Sequence, residues 1–396
     1  MTEPLFSYIQ GIAGVGKSYH LRNLNEAHPN STVLTSTTGI SAINMGAGIT
    51  INSLLWYFNT KSLLDSYTTG KLDYRVGALY KLGIRRILTD EISMMCADDL
   101  SLICMAIDRL NESKYKRSEQ LLGWTIAGDN CQLPPVSGDY AFESEYWSRF
   151  EENTTILRTV HRQADKDFVE ALGWVRRGDG KKAAEYFEDN MHQLVDPRFD
   201  GTTLYPYNSN VDRQNQYRLS KVSGKCITFA SERTGKERPE WKYIPEKLEL
   251  KENALVMILA NSYLNRSITY CNGDLGNIVD AGPHTACVKL KRNDETVTVN
   301  YVEREHEGLI RGREEVVGTI RYMPLRLAWA TTVDKSQSLT LDCVQADLRS
   351  KFYKERPGML YVALSRCRTK GGLRLICSPK TFVQNCKVNP KVERFL

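Results

Sequence analysis

Long apolar runs are missing from this chain of 396 residues: none approaches the ~20 residues that a membrane-spanning helix needs, so no membrane partner is expected. Its ten cysteines are scattered without a single Cys-x-x-Cys pair, which speaks against a zinc ribbon and against a disulfide framework. The opening residues MTEPLFSY hold neither the basic patch nor the apolar core of a secretory signal. A reducing, cytoplasmic-type compartment is the expectation. Low-complexity segments, internal repeats and Pro/Ser-rich linkers are also lacking, so domains should be interleaved rather than strung on tethers. No charge sign dominates, and the net charge of +6 permits a polyanionic partner without demanding one. With 41% apolar and 25% charged residues the composition is that of a globular protein, long enough for about two to four domains.

What is present begins at Gly11. The stretch Gly11 to Ser18, GIAGVGKS, fits G-x-x-x-x-G-K-[ST] without a mismatch, after the apolar run Leu5 to Ile9 and before a helix-compatible run, Tyr19 to Ala27. Gly11, Gly14 and Gly16 let the loop turn its N–H groups inward onto a phosphate chain, and the following helix adds its positive end. Lys17 is placed to reach the β- and γ-phosphates, and the Ser18 hydroxyl to ligate Mg²⁺. Ala13, Val15 and Tyr19 complete the candidate contacts to ATP.

Further strand-tip elements follow. Ser31 to Ser36 reads as a buried strand, with Thr37-Thr38-Gly39 opening a helix to Met45; the two hydroxyls either hold a nucleic-acid phosphate or cap that helix. Thr50, Asn52 and Ser53 come next, with Trp56, Tyr57 and Phe58 behind them, aromatics suited either to stacking bases or to the core. Residues 59–83 look polar and turn-rich, a small excursion from the main sheet. Arg86 to Thr89 is a strand ending in Asp90-Glu91, where Asp90 would hold the magnesium and Glu91 would deprotonate the attacking water. Leu100, Ile103, Ile107 and Leu110 form one helical face, with Asp98 as a cap. Gly123 to Ala127 is the next strand, and Gln132 at its tip is a candidate sensor of the γ-phosphate. Such elements predict a parallel sheet with the ligand at its carboxyl edge.

In this order GIAGVGKS, TDEISM, GDNCQLPPV, TVHRQAD, DKSQSLTLD and YVALSR resemble the motifs of superfamily-1 helicases, in the Pif-like and RecD-like branch, over residues 8 to 377. The resemblance implies an α/β fold of two RecA-like P-loop NTPase motor domains with parallel sheets. The first spans 1–156 with a small insertion at about 53–83. The second spans 157–225 and 318–396. A small β-barrel of the Src-homology-3 type is inserted at 226–317, where the apolar period changes to two. Within that barrel Lys289, Lys291 and Arg292 either touch nucleic acid or form a solvated strand edge, the commoner case. By resemblance Arg162 and Arg366 reach the γ-phosphate, while Pro135, Thr332 and Lys335 join Thr37, Thr38, Thr50, Asn52 and Ser53 on the nucleic acid. Asn52 and Asp334 stand where the family has histidine, and Ser338 where it has glycine. The family's adenine-reading glutamine segment has no counterpart among the ten residues before Gly11, so adenine selectivity is either weak or supplied elsewhere. The implied activity is that of an ATP- and Mg²⁺-dependent DNA helicase, a monomer moving 5′ to 3′ on single-stranded DNA and parting duplex at a junction. A nucleic-acid-stimulated ATPase that translocates or remodels without unwinding, acting on RNA or on protein–DNA complexes, is the second reading. The tail from Lys380 onward carries no readable motif.

Overall fold

The computed structural model describes residues 4–45, 49–115, 119–238, 241–242, 244–260, 262–264, 267–270, 273–310, 313–337 and 339–396; Ser338 and the expected turn residues Cys271 and Asn272 lie outside them. Among the described residues, no helix is long and apolar enough to cross a membrane. The contacts divide the chain into two compact units, residues 1–193 with 348–396, and residues 194–347.

The first unit is built on five parallel strands, β1 (Phe6–Gln10), β2 (Thr32–Ser36), β3 (Arg86–Asp90), β4 (Gly123–Gly128) and β5 (Thr154–Ile156), in the order β2-β3-β4-β1-β5. Register sets Ile9 beside Ala127 and Thr89 beside Ile126. All of β4 is buried, as expected for a central parallel strand covered on both faces. The strands are linked through α1 (Lys17–Ala27), α2 (Gly39–Asn44), α3 (Ile51–Leu55), α4 (Thr60–Thr68), α5 (Lys71–Lys81) and α6 (Ala97–Tyr115). Leu100, Ile103 and Ile107 of α6 are fully buried, with Leu110 packed at the margin of the same core. Trp124 on β4 sits at the centre of it, edge-on to Phe150 at 5.6 Å, and its indole N–H donates to Thr89 Oγ1 at 2.9 Å.

Two local expectations need correcting. Residues 59–83 are helical rather than turn-rich: α4 opens on an Asn59/Ser62 capping box, and Leu63, Leu72 and Val76 sink into the main core. The polar residues that suggested a loop occupy the outer faces of two short amphipathic helices. Asp98 does not cap α6; it lies within the first turn, because the helix already begins at Ala97.

The first unit also takes in the helices Lys166–Arg177, Met359–Ser365 and Pro379–Asn385, and the parallel pair Met191–His192 with Leu373–Ile376. Contact density therefore divides the chain elsewhere than the expected domain limits, because 157–193 and 348–396 pack with the segments around β1 and β4. In the second unit Thr202–Tyr205 lies between Ala330–Thr332 and Val344–Asp347, all parallel, with the helix Asn208–Lys221 on it. The rest of that unit is antiparallel. Its largest sheet runs Thr296–Asn300, Thr285–Leu290, Leu275–Ala281, Leu255–Ile258, Leu325–Leu327. A long hairpin, Val302–Ile310 with Arg313–Tyr322, pairs with Glu232–Gly235. Lys289, Lys291 and Arg292 form surface ion pairs with Asp294, Asp200 and Asp274.

Trp124→Ala is expected to destabilise the protein by about 3–5 kcal/mol, the cost of a large cavity in a closed core. Chemical denaturation should show the loss as a lower midpoint.

Candidate nucleotide site

The loop after β1 needs two backbone conformations that a side chain resists. Gly14 and Gly16 both have φ of 86°, and Gly16 caps the N-terminus of α1. At Gly14 the space is also taken, since a Cβ would stand 2.8 Å from the Arg162 Cβ. The neighbours come from the segment Val160 to Gln163, whose His161 and Arg162 N–H groups both donate to the Gly14 carbonyl, at 2.8 and 3.3 Å. The loop and the arginine are thus held together through backbone as well as side chain.

Lys17 is buried and donates through Nζ to the carbonyls of Gly11 and Ile12, at 2.8 and 3.1 Å. Burial pulls its pKa down, while Asp129, Glu91 and Asp90 pull it back up. The Ser18 hydroxyl donates to Asp90 Oδ2, and the other carboxylate oxygen accepts from the Glu91 N–H at 2.9 Å. Burial, then the adjacent Glu91, push Asp90 up to about 6; the Ser18 hydrogen bond and Lys17 act against them. Glu91 is itself buried, in a left-handed conformation at φ 56° that is uncommon outside glycine. Its carbonyl accepts from the Thr37 hydroxyl at 2.7 Å, so hydrogen bonds fix the backbone on both sides of the strained residue.

Two guanidiniums complete the site. Arg162 donates to the Ser365 carbonyl at 2.9 Å, and Arg366, almost fully buried, donates to the Val362 carbonyl and the Ser365 hydroxyl. Burial and then repulsion from Arg366 push Arg162 down to about 9. Arg366 is lowered by burial and raised by Glu91, which places it in the field of the candidate base. Two cations, one buried and one half-buried, that repel each other beside a glycine loop form a site that an anion would relieve. Gln132 is buried too, with a side-chain oxygen that has no hydrogen-bond partner.

Several residues on which the site depends have no role assignable from the sequence, although Asp129, Gln163 and Tyr361 lie inside the motifs GDNCQLPPV, TVHRQAD and YVALSR. Asp129, at the tip of β4, is buried and ionised: its pKa is lowered even against its own desolvation, chiefly by Arg176 and then Lys17. One oxygen accepts from Arg176 at 3.0 Å and from the Cys131 N–H at 3.1 Å. The other accepts from the Tyr361 hydroxyl at 3.1 Å, which in turn accepts from the Ala13 N–H of the glycine loop at 2.9 Å. Arg176 also donates to the carbonyl of Phe395, tying the motif-free tail to the site. Gln163 bridges the carbonyls of Ser365 and Cys367. Asp129 is marked in the sequence by its place in GDNCQLPPV and as a carboxylate closing an apolar strand, as Asp90 does, and Tyr361 by its place in YVALSR. Arg176 and Phe395 had no such mark, because their partners lie far away in sequence.

The candidate nucleic-acid residues are placed less decisively. Thr38 and Thr50 act as helix caps, accepting from the N–H groups of Ser41 and Ser53. Thr37 is bound to Glu91. Asn52, Ser53 and Pro135 are half-buried, and Tyr19 is largely exposed on α1. In the second unit Thr332 is buried and accepts from the Lys335 N–H, while Lys335 Nζ donates to Asn208 at 2.8 Å.

Comparison with known proteins places these features. Residues 1–194 match a family model described as an AAA domain. The chain is similar to the ATP-dependent DNA helicase Pif1 of Bdellovibrio bacteriovorus, 29% identical over 98% of this chain and 87% of that one. It is also similar to the human ATP-dependent DNA helicase PIF1, 30% identical over 93% of this chain but only 58% of the relative. Among solved structures it resembles the Candida albicans Pif1 helicase, with TM-score 0.73, 25% identity and coverage of 99% and 95%. A Bacteroides Pif1 in complex with ADP-AlF4 resembles it similarly, with TM-score 0.72, 25% identity and coverage of 93% and 88%.

Tyr361→Phe keeps the ring but strands both the Ala13 N–H and an Asp129 oxygen. It is expected to cost about 1–3 kcal/mol of stability and to weaken binding of a fluorescent nucleotide several-fold, read by titration. Because protonated Asp90 is a poor cation ligand, Mg²⁺-dependent nucleotide affinity should fall as pH drops through about 6. Titrations across that pH, with Asp90→Asn as the pH-insensitive control, check this.

Proposed function

We propose that the chain is a Pif1-like helicase of superfamily 1, and that it works as an ATP-dependent DNA helicase that moves on single-stranded DNA. The observation that carries this reading is the gathering of Lys17, the Ser18–Asp90 pair, Glu91, Gln132, Arg162 and Arg366 around one glycine loop. Between them these groups offer cations for a triphosphate, oxygens for a metal and a base for water.

Each residue has a role in that reading. The loop N–H groups and Lys17 hold the β- and γ-phosphates. Ser18 and Asp90, a hydroxyl and a carboxylate in contact, form the oxygen donor set that suits Mg²⁺. When bound, that ion neutralises phosphate charge. Glu91, fixed by its neighbours, orients the attacking water and takes its proton. Arg162 and Arg366 stabilise charge on the transferring phosphoryl group, and Gln132 registers whether the γ-phosphate is present.

The expected arrangement belongs to the same proposal: motor domains at 1–156 and at 157–225 with 318–396, and a barrel of the Src-homology-3 type at 226–317. In it Thr37, Thr38, Thr50, Asn52, Ser53 and Pro135, together with Thr332 and Lys335, contact the strand. Travel from 5′ to 3′, a monomeric state and a cytoplasmic location are supported by family resemblance and composition. Duplex and single-strand junctions are the proposed substrate.

Steady-state ATP hydrolysis should rise strongly with single-stranded DNA and vanish in Lys17→Ala. Glu91→Gln should bind nucleotide yet lose about 10²–10⁴-fold in turnover. A duplex with a 5′ tail should be unwound and one with a 3′ tail should not. Hydrolysis indifferent to DNA, or no unwinding with either tail, would overturn the helicase reading.

A further inference from the structure

Of the three consecutive aromatics after α3, only the middle one belongs to the core. Tyr57 is 7% exposed, whereas Trp56 and Phe58 on either side are 45% and 68% exposed. Trp56 also has φ of 59°, a left-handed conformation at the C-terminal cap of α3. That position favours glycine, and a bulky ring there is an outlier. The conformation is held although packing does not require it, since close to half of the residue lies in solvent. The other side of the ring is occupied. The guanidinium carbon of Arg75 stands 4.2 Å from the ring centroid, and Arg75 is itself buried and anchored by donation from Nε to the Leu54 carbonyl at 2.7 Å. The indole is therefore clamped on a fixed cation and left in contact with water.

A second exposed group lies in the same region. Val136, at the end of the loop that starts with Asp129 and Gln132, is 89% exposed. Thr60, two residues after Phe58, has its hydroxyl 3.4 Å from Cys96 Sγ. Gly138, two residues after Val136, abuts the same cysteine, because a Cβ there would stand 3.0 Å from the Cys96 Cβ. Thr60 and Gly138 thus share Cys96 as a neighbour, each two residues along the chain from Phe58 and Val136 respectively.

We propose that Trp56, clamped by Arg75, is a stacking platform for a base of single-stranded nucleic acid. The inference rests on the reading that this chain binds such a strand. The chemistry favours a base over a protein segment. The ring ends a short helix whose first turn carries the polar residues Thr50, Asn52 and Ser53, and the Trp56 N–H donates to the carbonyls of Asn52 and Ser53; Tyr57, which would deepen an apolar groove, is turned inside. A flat ring polarised by a guanidinium on one face takes a second flat ring on the other. The backbone strain at Trp56 is then the kind of cost that ligand contacts retain.

The experiment uses the full chain and two fluorescein-labelled probes, an oligothymidylate and an abasic oligonucleotide of the same length. Trp56→Gly should raise the denaturation midpoint or leave it level, because glycine adopts φ 59° without strain. It should weaken oligothymidylate binding about five-fold or more, while binding of the abasic strand and of nucleotide stays unchanged. Trp56→Tyr should retain part of the oligothymidylate affinity. Equal oligothymidylate affinity in wild type and Trp56→Gly overturns the proposal, as does an equal loss on the abasic strand or a lowered midpoint. Wild-type protein that binds neither strand overturns the DNA reading first, and the platform with it.

Discussion

The buried carboxylate of Asp129 is the constraint on which the rest of the first unit depends. A charge with 1% exposure persists only if its lone pairs are filled. Here they are filled by groups from separate parts of the chain: the Cys131 N–H, Arg176, and the Tyr361 hydroxyl. Because the Tyr361 proton is committed to Asp129, the phenol oxygen presents lone pairs to the Ala13 N–H. Arg176, held by the same carboxylate, has a donor left for the Phe395 carbonyl. One ionised side chain thereby aligns the glycine loop, the tip of β4, the helix ending at Arg366 and the end of the chain. Removing one partner of such a buried pair typically costs about 3–5 kcal/mol, more than most single contacts contribute.

Around that anchor the site is kept in costly conformations and charge states. Glu91 is left-handed, the Asp90 carboxyl is pushed up to about 6 by burial and by Glu91, and the guanidiniums of Arg162 and Arg366 repel each other. Each of these lowers stability locally, and each is what phosphate and metal would relieve. A site organised before its ligand arrives avoids reorganisation during the chemistry. The Thr37 hydroxyl on the Glu91 carbonyl adds a link in the same region. A residue expected at the nucleic-acid strand is hydrogen-bonded to the backbone of the residue expected to activate water, so displacing Thr37 would act on the strained turn.

Asn52 lies on α3, among the caps, and Asp334 lies in the second unit. Lys17, Asp90, Glu91, Arg162 and Arg366, the residues proposed to handle phosphate, all lie in the first unit.

Much of this was legible along the chain because the signals are local. The loop GIAGVGKS, the apolar strands ending in Asp90 and Gly128, and the period-two segments of the second unit declare themselves through neighbours a few residues apart. Residues 59–83 misled because short helices with polar outer faces read as turns until a core exists for Leu63 and Leu72 to enter. The roles of Asp129 and Tyr361, which stand inside quoted motifs, and of Arg176 and Phe395, which stand in none, stayed hidden for a different reason. Their roles consist of hydrogen bonds spanning 47 to 232 positions in sequence, and no local pattern encodes a partner so distant. The three aromatics at 56–58 show the boundary most plainly: sequence alone determined that rings stand there, and only tertiary packing decided that Tyr57 goes inside while Trp56 is clamped on Arg75 and left facing water.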